Sequence, residues 1–238
     1  MIAAPRIVLP ELLDELDPND SRATRSRRDL RRVHRAMGSL SILHKAISGL
    51  RLTAPPARIL ELGAGDATLL LRLARAQPQW PRVALTVLDR HDLLSQETRD
   101  GYAALGWDLS VLRTDVLQWA VEERPQHVDL CITTLFLHHF EMAALRFLMA
   151  SIALRCDAFV ACEPRRNTFA SIGSRLLGVL ACNAVTRGDA VKSVAAGFAG
   201  RELTAAWPHP QADWHIDEYA ALPFTHCFTA VRQCVRRG

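Results

Sequence analysis

The sequence predicts an α/β fold on a mostly parallel sheet of seven strands, with a helical extension before it and a helical insert between strands 5 and 6. Three observations lead there. From Ala57 onward, short β-rich runs alternate with helical patterns, the signature of parallel strands joined by crossover helices. Before Thr53-Ala-Pro-Pro56 the chain is arginine-rich and helix-like instead. Hydrophobic residues are 49% and charged residues 23% of 238, the balance of an ordinary globular chain with a sizeable core. The predicted division is therefore an extension over residues 1–52 and an α/β domain over 53–238.

In the extension, Ser26-Arg-Arg-Asp29 has the form of a capping box with aspartate in the last position. Val33, Met37, Leu40, Leu43 and Ile47 then recur at helical spacing and predict a helix to about Leu50. Arg25, Arg28, Arg32 and Arg35 fall on another face. Two readings of this helix stand side by side. One is a solvated basic face on a docked helix; the other is a lid whose apolar stripe closes over a site, with the arginines near an anionic ligand.

In the α/β domain, strand 1 is read over Ala57–Gly63 and its helix from about Asp66 to Ala76. Strand 2 covers Ala84–Asp89, followed by a helix from about Leu93 to Leu105. Strand 3 covers Leu109–Thr114, then a short turn or helix through Trp119. Strand 4 covers Val128–Phe136, followed by a helix from about Glu141 to Leu154. Strand 5 covers Ala158–Glu163. The insert runs from about Thr168 to Ala206, with Asp189 as cap for a helix over Ala190–Ala196. Two late strands, Trp214–Tyr219 and Phe224–Gln233, complete the set.

The net charge of +4 is mild and does not require a nucleic-acid partner. The six cysteines form no CxxC pair and no zinc-like cluster with histidine, so no metal is expected. Several lie in apolar runs, which suits buried thiols in a reducing cytoplasm. The opening Met1-Ile-Ala-Ala-Pro-Arg6 has no long apolar core behind a basic head, and no signal peptide is expected. No run of about 18 apolar residues occurs, and no membrane span is expected.

The strongest motif is Arg58-Ile-Leu-Glu-Leu-Gly-Ala-Gly-Asp-Ala-Thr-Leu-Leu-Leu71. A β-rich run ends at Gly63, Gly65 serves a tight turn, and a helix begins at once. Glycine lets backbone approach a ligand closely, and the helix start offers free N–H groups. A dinucleotide site would want a third small residue where Thr68 stands. Glu61 and Asp66 flank the turn with negative charge, which repels a pyrophosphate and attracts a cationic amino-acid ligand.

Glu61-Leu-Gly-Ala-Gly-Asp66 resembles the first motif of the class I, Rossmann-like S-adenosylmethionine-dependent methyltransferases. Three further elements follow in order. Asp89 ends strand 2, where the family places an acid on the ribose hydroxyls. Thr114-Asp115-Val116 follows strand 3, near the adenine amino group. Asp129-Leu-Cys-Ile-Thr-Thr-Leu-Phe-Leu-His-His-Phe140 resembles the strand-4 motif, with Thr134 in place of the commoner asparagine. The resemblance covers about Ala57 to Pro164. It implies that Glu61, Gly63, Ala64, Gly65, Asp66, Asp89, Arg90, Asp115, Val116, Thr134 and Leu135 hold S-adenosylmethionine, which leaves as S-adenosylhomocysteine. Asp89 or Asp115 alone would read as a turn residue or helix cap; their joint occurrence in register points to the cofactor.

Methyl transfer from a sulfonium is an in-line displacement, and alignment supplies much of the rate. A phenol, with a pKa of about 10 in solution, needs a base to become the stronger phenolate nucleophile. His138 and His139 stand where strand 4 should meet the methyl group, and histidine suits a general base. His139 is preferred, because it resembles a histidine at the matching position of quinone-biosynthesis methyltransferases. The alternative is that the pair packs beneath the next helix.

In this family an insert between strands 5 and 6 builds the substrate pocket. Phe169, Ile172, Leu176, Leu177, Val179 and Leu180 suggest an aromatic or alkyl substrate there, or equally a packing or dimer face. Arg166, Asn183 and Arg187 are candidates to orient the substrate. The expected function is therefore methyl transfer, preferably to oxygen, on a small phenolic or quinone-like molecule. An RNA or other nucleic-acid methyltransferase is the alternative enzyme, disfavoured by the lack of an Asn-Pro-Pro-Tyr or Pro-Cys motif. A non-catalytic scaffold and a nicotinamide oxidoreductase are the other readings. No feature of the sequence sets an oligomeric state.

Overall fold

The computed structural model describes residues 4–50, 52–80, 82–122, 126–168, 170–171, 182–208, 213–221 and 224–233. Among the described residues, seven strands form one sheet: β1 (Arg58–Leu62), β2 (Ala84–Asp89), β3 (Asp108–Arg113), β4 (Val128–Thr134), β5 (Cys156–Pro164), β6 (Trp214–Ala221) and β7 (Thr225–Arg232). Their order is β3-β2-β1-β4-β5-β7-β6. β1 to β5 pair in parallel, and β7 runs antiparallel to both β5 and β6, so β6 points the same way as β1 to β5. This is the mostly parallel seven-stranded sheet expected above.

Both faces of the sheet are covered, which is why its inner strands read as continuous apolar runs. On one face lie α3 (Ser39–Gly49), α4 (Thr68–Arg75) and α5 (Gln96–Ala104), in a core with Leu43, Ile47, Leu70, Leu73, Tyr102 and Val160. On the other lie α6 (Val116–Ala120), α7 (Met142–Arg155) and α9 (Glu202–Ala206), around Phe159, Trp207 and Phe228. The Phe159 and Trp207 rings stack at 5.6 Å between centroids. α1 (Leu12–Glu15), α2 (Ser21–Ala36) and α8 (Ala184–Ala196) form a third group; α8 packs on α1, α2, β5 and the 3-10 turn Leu137–His139.

The extension departs from its expected form in two ways. α2 starts five residues before Ser26, capped by Asp20, whose side chain accepts from the Arg22 N–H. The helix then breaks at Gly38, whose φ of 68° is left-handed, and α3 restarts as part of the sheet's covering layer. Ser26 and Asp29 do not form a capping box. Ser26 meets the Thr186 hydroxyl at 2.7 Å, and buried Asp29 accepts from the Asn183 N–H at 2.7 Å, docking α2 onto the start of α8. Arg25, Arg28 and Arg35 are exposed, as a solvated face requires, whereas Arg32 pairs with Asp29.

Asp189 does not cap its own helix. Asn183 caps α8 through Thr186 N–H at 2.8 Å, and Asp189 sits within the helix. Its carboxylate accepts from the Leu12 and Leu13 N–H groups at 2.8 and 2.9 Å, so it caps α1 from across the fold. Lys192 Nζ donates to the Pro10 carbonyl at 2.6 Å and Ile7 N–H to Ala195 at 3.1 Å, fastening the N-terminal strap along α8. Phe169, Ile172, Leu176, Leu177, Val179 and Leu180 of the insert lie outside the described residues.

Candidate active site

The strand order reverses between β1 and β4, and in open α/β sheets such a switch point opens a crevice at the carboxyl ends of the strands. A cavity of about 1320 Å³ lies there. The loops after β1, β2 and β4 make its floor, and residues from α1, α2 and α8 contribute its roof. All eleven residues expected to hold the cofactor line it, as do His138 and His139.

The glycine turn is left-handed at Gly63 (φ 66°) and Gly65 (φ 56°). Gly63 is required twice over, because a Cβ there would also collide with the Phe136 ring. Ala67 takes the same left-handed conformation (φ 53°) without being glycine, a strained choice for an L-residue. The Gly63 and Ala64 N–H groups donate to the Leu88 carbonyl, and Gly65 N–H donates to Asp89 Oδ2 at 3.0 Å. The turn is thus tied to the end of β2, next to the acid that closes it.

Glu61 is 4% exposed, and its Oε2 has no hydrogen-bond partner among the described residues. Burial, with the charges of Asp66 and Asp89 acting in the same sense, raises its pKa to about 8. At neutral pH the isolated protein keeps this carboxyl largely protonated. Asp66 accepts from the Thr68 hydroxyl at 2.7 Å and pairs with Arg31 at 2.6 Å. Asp115 caps α6 by accepting from Leu117 N–H at 2.8 Å while lining the cavity, so cap and site are one residue. Thr134 Oγ1 is buried without a partner among the described residues, and Leu135 is left-handed at φ 53°.

The two histidines differ. His138 is 2% exposed; its Nδ1 lies 2.9 Å from Glu163 Oε2 and its Nε2 3.3 Å from Glu11 Oε1. Burial alone would lower its pKa, but the hydrogen bonds and charges of Glu11 and Glu163 outweigh that and raise it to about 9. A ring with both nitrogens facing carboxylates is a cationic clamp rather than a free base. His139 is partly exposed, and its Nδ1 meets Asp14 Oδ2 at 3.2 Å, which leaves Nε2 for exchange with a ligand. Burial pushes the Asp14 pKa up, yet the hydrogen bond and charge of His139, with Arg90 at 3.6 Å, hold it below its ordinary value.

The three substrate candidates are placed elsewhere. Arg166 is buried, donates to the Ala4 carbonyl at 2.7 Å and to Gly197, and pairs with Glu202. Asn183 is spent on capping α8 and on the Arg22 carbonyl at 3.1 Å. Arg187 is exposed on α8. None of them is among the described residues lining the cavity. Their polarity serves docking and solvation.

Sequence reasoning missed Glu11, Asp14, Arg31 and Glu163. Glu163 is fully buried; it accepts from the Phe136 and Leu137 N–H groups at 3.0 and 2.9 Å and holds His138. A signal for it existed, since it ends an apolar strand as Asp89 does. Glu11, Asp14 and Arg31 carry no local signal, because their partners lie far away in the chain.

No protein-family model matches the chain, and no curated protein matches it. Solved structures do. An O-methyltransferase family protein from Burkholderia thailandensis shares 16% identity at a TM-score of 0.60 over 92% of this chain and 62% of that one. The plantazolicin methyltransferase BpumL, in complex with SAH, shares 12% identity at 0.63 over 90% and 92%. The pyocyanin biosynthetic protein PhzM shares 18% identity at 0.57 over 94% and 62%. The chain thus spans less than two thirds of the length of the Burkholderia protein and PhzM, and about nine tenths of BpumL. At these identities the likeness is one of fold: the chain has the α/β fold of these methyltransferases.

Proposed function

We propose that the chain is an S-adenosylmethionine-dependent methyltransferase of secondary metabolism, acting in the cytoplasm on oxygen of a small phenolic or quinone-like molecule. The observation that carries this reading is the gathering of Glu61, Asp66, Asp89 and Asp115 around a left-handed glycine turn in one cavity. The residues fit the donor. Glu61 Oε2, buried and unpartnered, is suited to a cation such as the methionine ammonium. Asp89 and Asp115 offer carboxylates to hydroxyl and amino groups, and Gly65 leaves open space where a Cβ would stand. Structural neighbours crystallised with SAH support the same choice.

When bound, S-adenosylmethionine supplies an electrophilic methyl group on a sulfonium centre. Glu61 and Asp66 hold positive charge at the turn, and Asp89 and Thr134 fix the ends of the neighbouring strands. His139, steadied by Asp14, accepts the acceptor's proton on its Nε2, while His138 stays clamped between Glu11 and Glu163. Leu9, Leu13, Leu16, Leu30 and Phe140 give the cavity an apolar wall that suits an aromatic acceptor and excludes water from it. Residues 1–52 serve as the lid, through α1 and α2, and residues 53–238 form the catalytic domain. Buried free cysteines are consistent with a reducing compartment, and no helix among the described residues is long and apolar enough to cross a membrane.

Transfer of labelled methyl from S-adenosylmethionine to a panel of phenols, quinones and amines tests the reading. Labelled phenol ethers are expected. Binding of the donor without transfer to any member of the panel would refute a small aromatic acceptor.

A further inference from the structure

We propose that Glu11, His138 and His139 form a site for one first-row divalent cation, and that a cation there occupies the nitrogen through which His139 takes a proton. One ligand atom from each residue lies within 4.8 Å of the others, and Glu11 Oε1 is 3.3 Å from His138 Nε2. Two imidazoles and one carboxylate are a donor set for Zn²⁺ and its neighbours, and three protein ligands leave a position open toward a ligand. Ligand atoms around a tetrahedral ion at about 2.1 Å stand about 3.4 Å apart. Ligand atoms now up to 4.8 Å apart must therefore close by as much as about 1.4 Å, and Glu11 lies on the strap at the start of four-residue α1.

The surroundings are those of a built site. Metal-bound histidines characteristically donate their other N–H to a carboxylate, which fixes ring and tautomer. Both histidines do so here: His138 Nδ1 faces Glu163 at 2.9 Å, and His139 Nδ1 faces Asp14 at 3.2 Å. Those carboxylates are themselves held, Glu163 by backbone N–H groups of Phe136, Leu137 and His138, and Asp14 by Arg90. The Ser193 hydroxyl donates to Glu11 and orients the third ligand. The cation would replace the proton now shared by Glu11 and His138 Nε2, and that proton leaves to solvent.

The first half of this proposal stands apart from the methyl-transfer reading; the second half rests on it. The test titrates the full chain, stripped with chelator, with Co²⁺ and Zn²⁺ salts. One equivalent of Co²⁺ with visible absorption bands, displaced by Zn²⁺, is expected. Glu11→Gln and His139→Asn should each weaken it at least tenfold, with unchanged thermal melts of the stripped proteins. Methyl transfer should fall at least tenfold in saturating Zn²⁺ and return on chelation. No stoichiometric Co²⁺ spectrum, or one that both variants retain, overturns the site; undiminished transfer in the zinc-loaded protein overturns the blocking role. Cobalt binding by a chain that never binds the adenosyl donor would sink the methyl-transfer reading and leave the site standing.

Discussion

Replacing Glu61 by glutamine keeps the shape of the buried side chain and removes its ability to ionise. In the native protein burial holds this carboxyl at about 8, against an ordinary value of 4.5. Between these two values the unfolded chain has lost the proton and the native protein still binds it. Native binding of more protons means that stability falls as pH rises across this window. Worked from the two values, the wild type loses roughly 3–4 kcal/mol between pH 5 and pH 8 through this one group. Glu61→Gln removes that slope. The other titrating groups are common to both proteins and cancel in the comparison. Urea unfolding of both proteins at pH 5, 6.5 and 8 reads the difference directly. The variant is expected to exceed the wild type by roughly 4 kcal/mol at pH 8 and by under about 1 kcal/mol at pH 5. It should also bind S-adenosylmethionine at least tenfold more weakly, because the glutamine cannot give up a proton to become the carboxylate that the cationic donor pairs with. Parallel pH profiles for the two proteins would refute the reasoning.

Three further outcomes follow from the same geometry. Ala67→Gly relieves a left-handed alanine and should add about 1 kcal/mol, a rise in melting temperature of roughly 2–4 °C for a chain of this size. A lower melting temperature would contradict the strain. His139→Ala should cut turnover at least tenfold while donor affinity, read by calorimetry, stays nearly intact; unchanged turnover removes His139 from the chemistry. Glu163→Ala leaves the buried His138 cation and the backbone donors at Phe136 and Leu137 without their acceptor, and should cost about 3–5 kcal/mol in urea unfolding. A loss below about 1 kcal/mol would show that the clamp bears little of the fold.

The sheet and the floor of the cavity were legible because their signals are local. An apolar run that ends in an acid, as at Leu85–Asp89, marks a strand and its functional end together, and β2 was read to the residue. The glycine turn announced itself through Gly63 and Gly65, although the left-handed Ala67 beside them did not. The roof was hidden for a physical reason. Ser26, Asp29 and Asp189 look like helix caps to a local eye, yet each reaches a backbone or hydroxyl group of a distant segment. Glu11 reaches His138 across 127 positions, and no spacing rule sees that far. Asn183 misled in the opposite sense: a polar residue in an insert suggested a substrate contact, and it proved to be an ordinary cap. Gly38 passed unnoticed within an apolar period that continues through it, so one helix was expected where two stand.

The central claim is that acids around a bent glycine turn were placed to hold a positively charged adenosyl donor. Calorimetric titration of the wild type and of Asp89→Ala with S-adenosylmethionine tests it most directly. The account predicts one saturable site in the wild type and affinity at least tenfold weaker in the variant. Absence of heat in the wild type, or equal affinity in the two proteins, would contradict it.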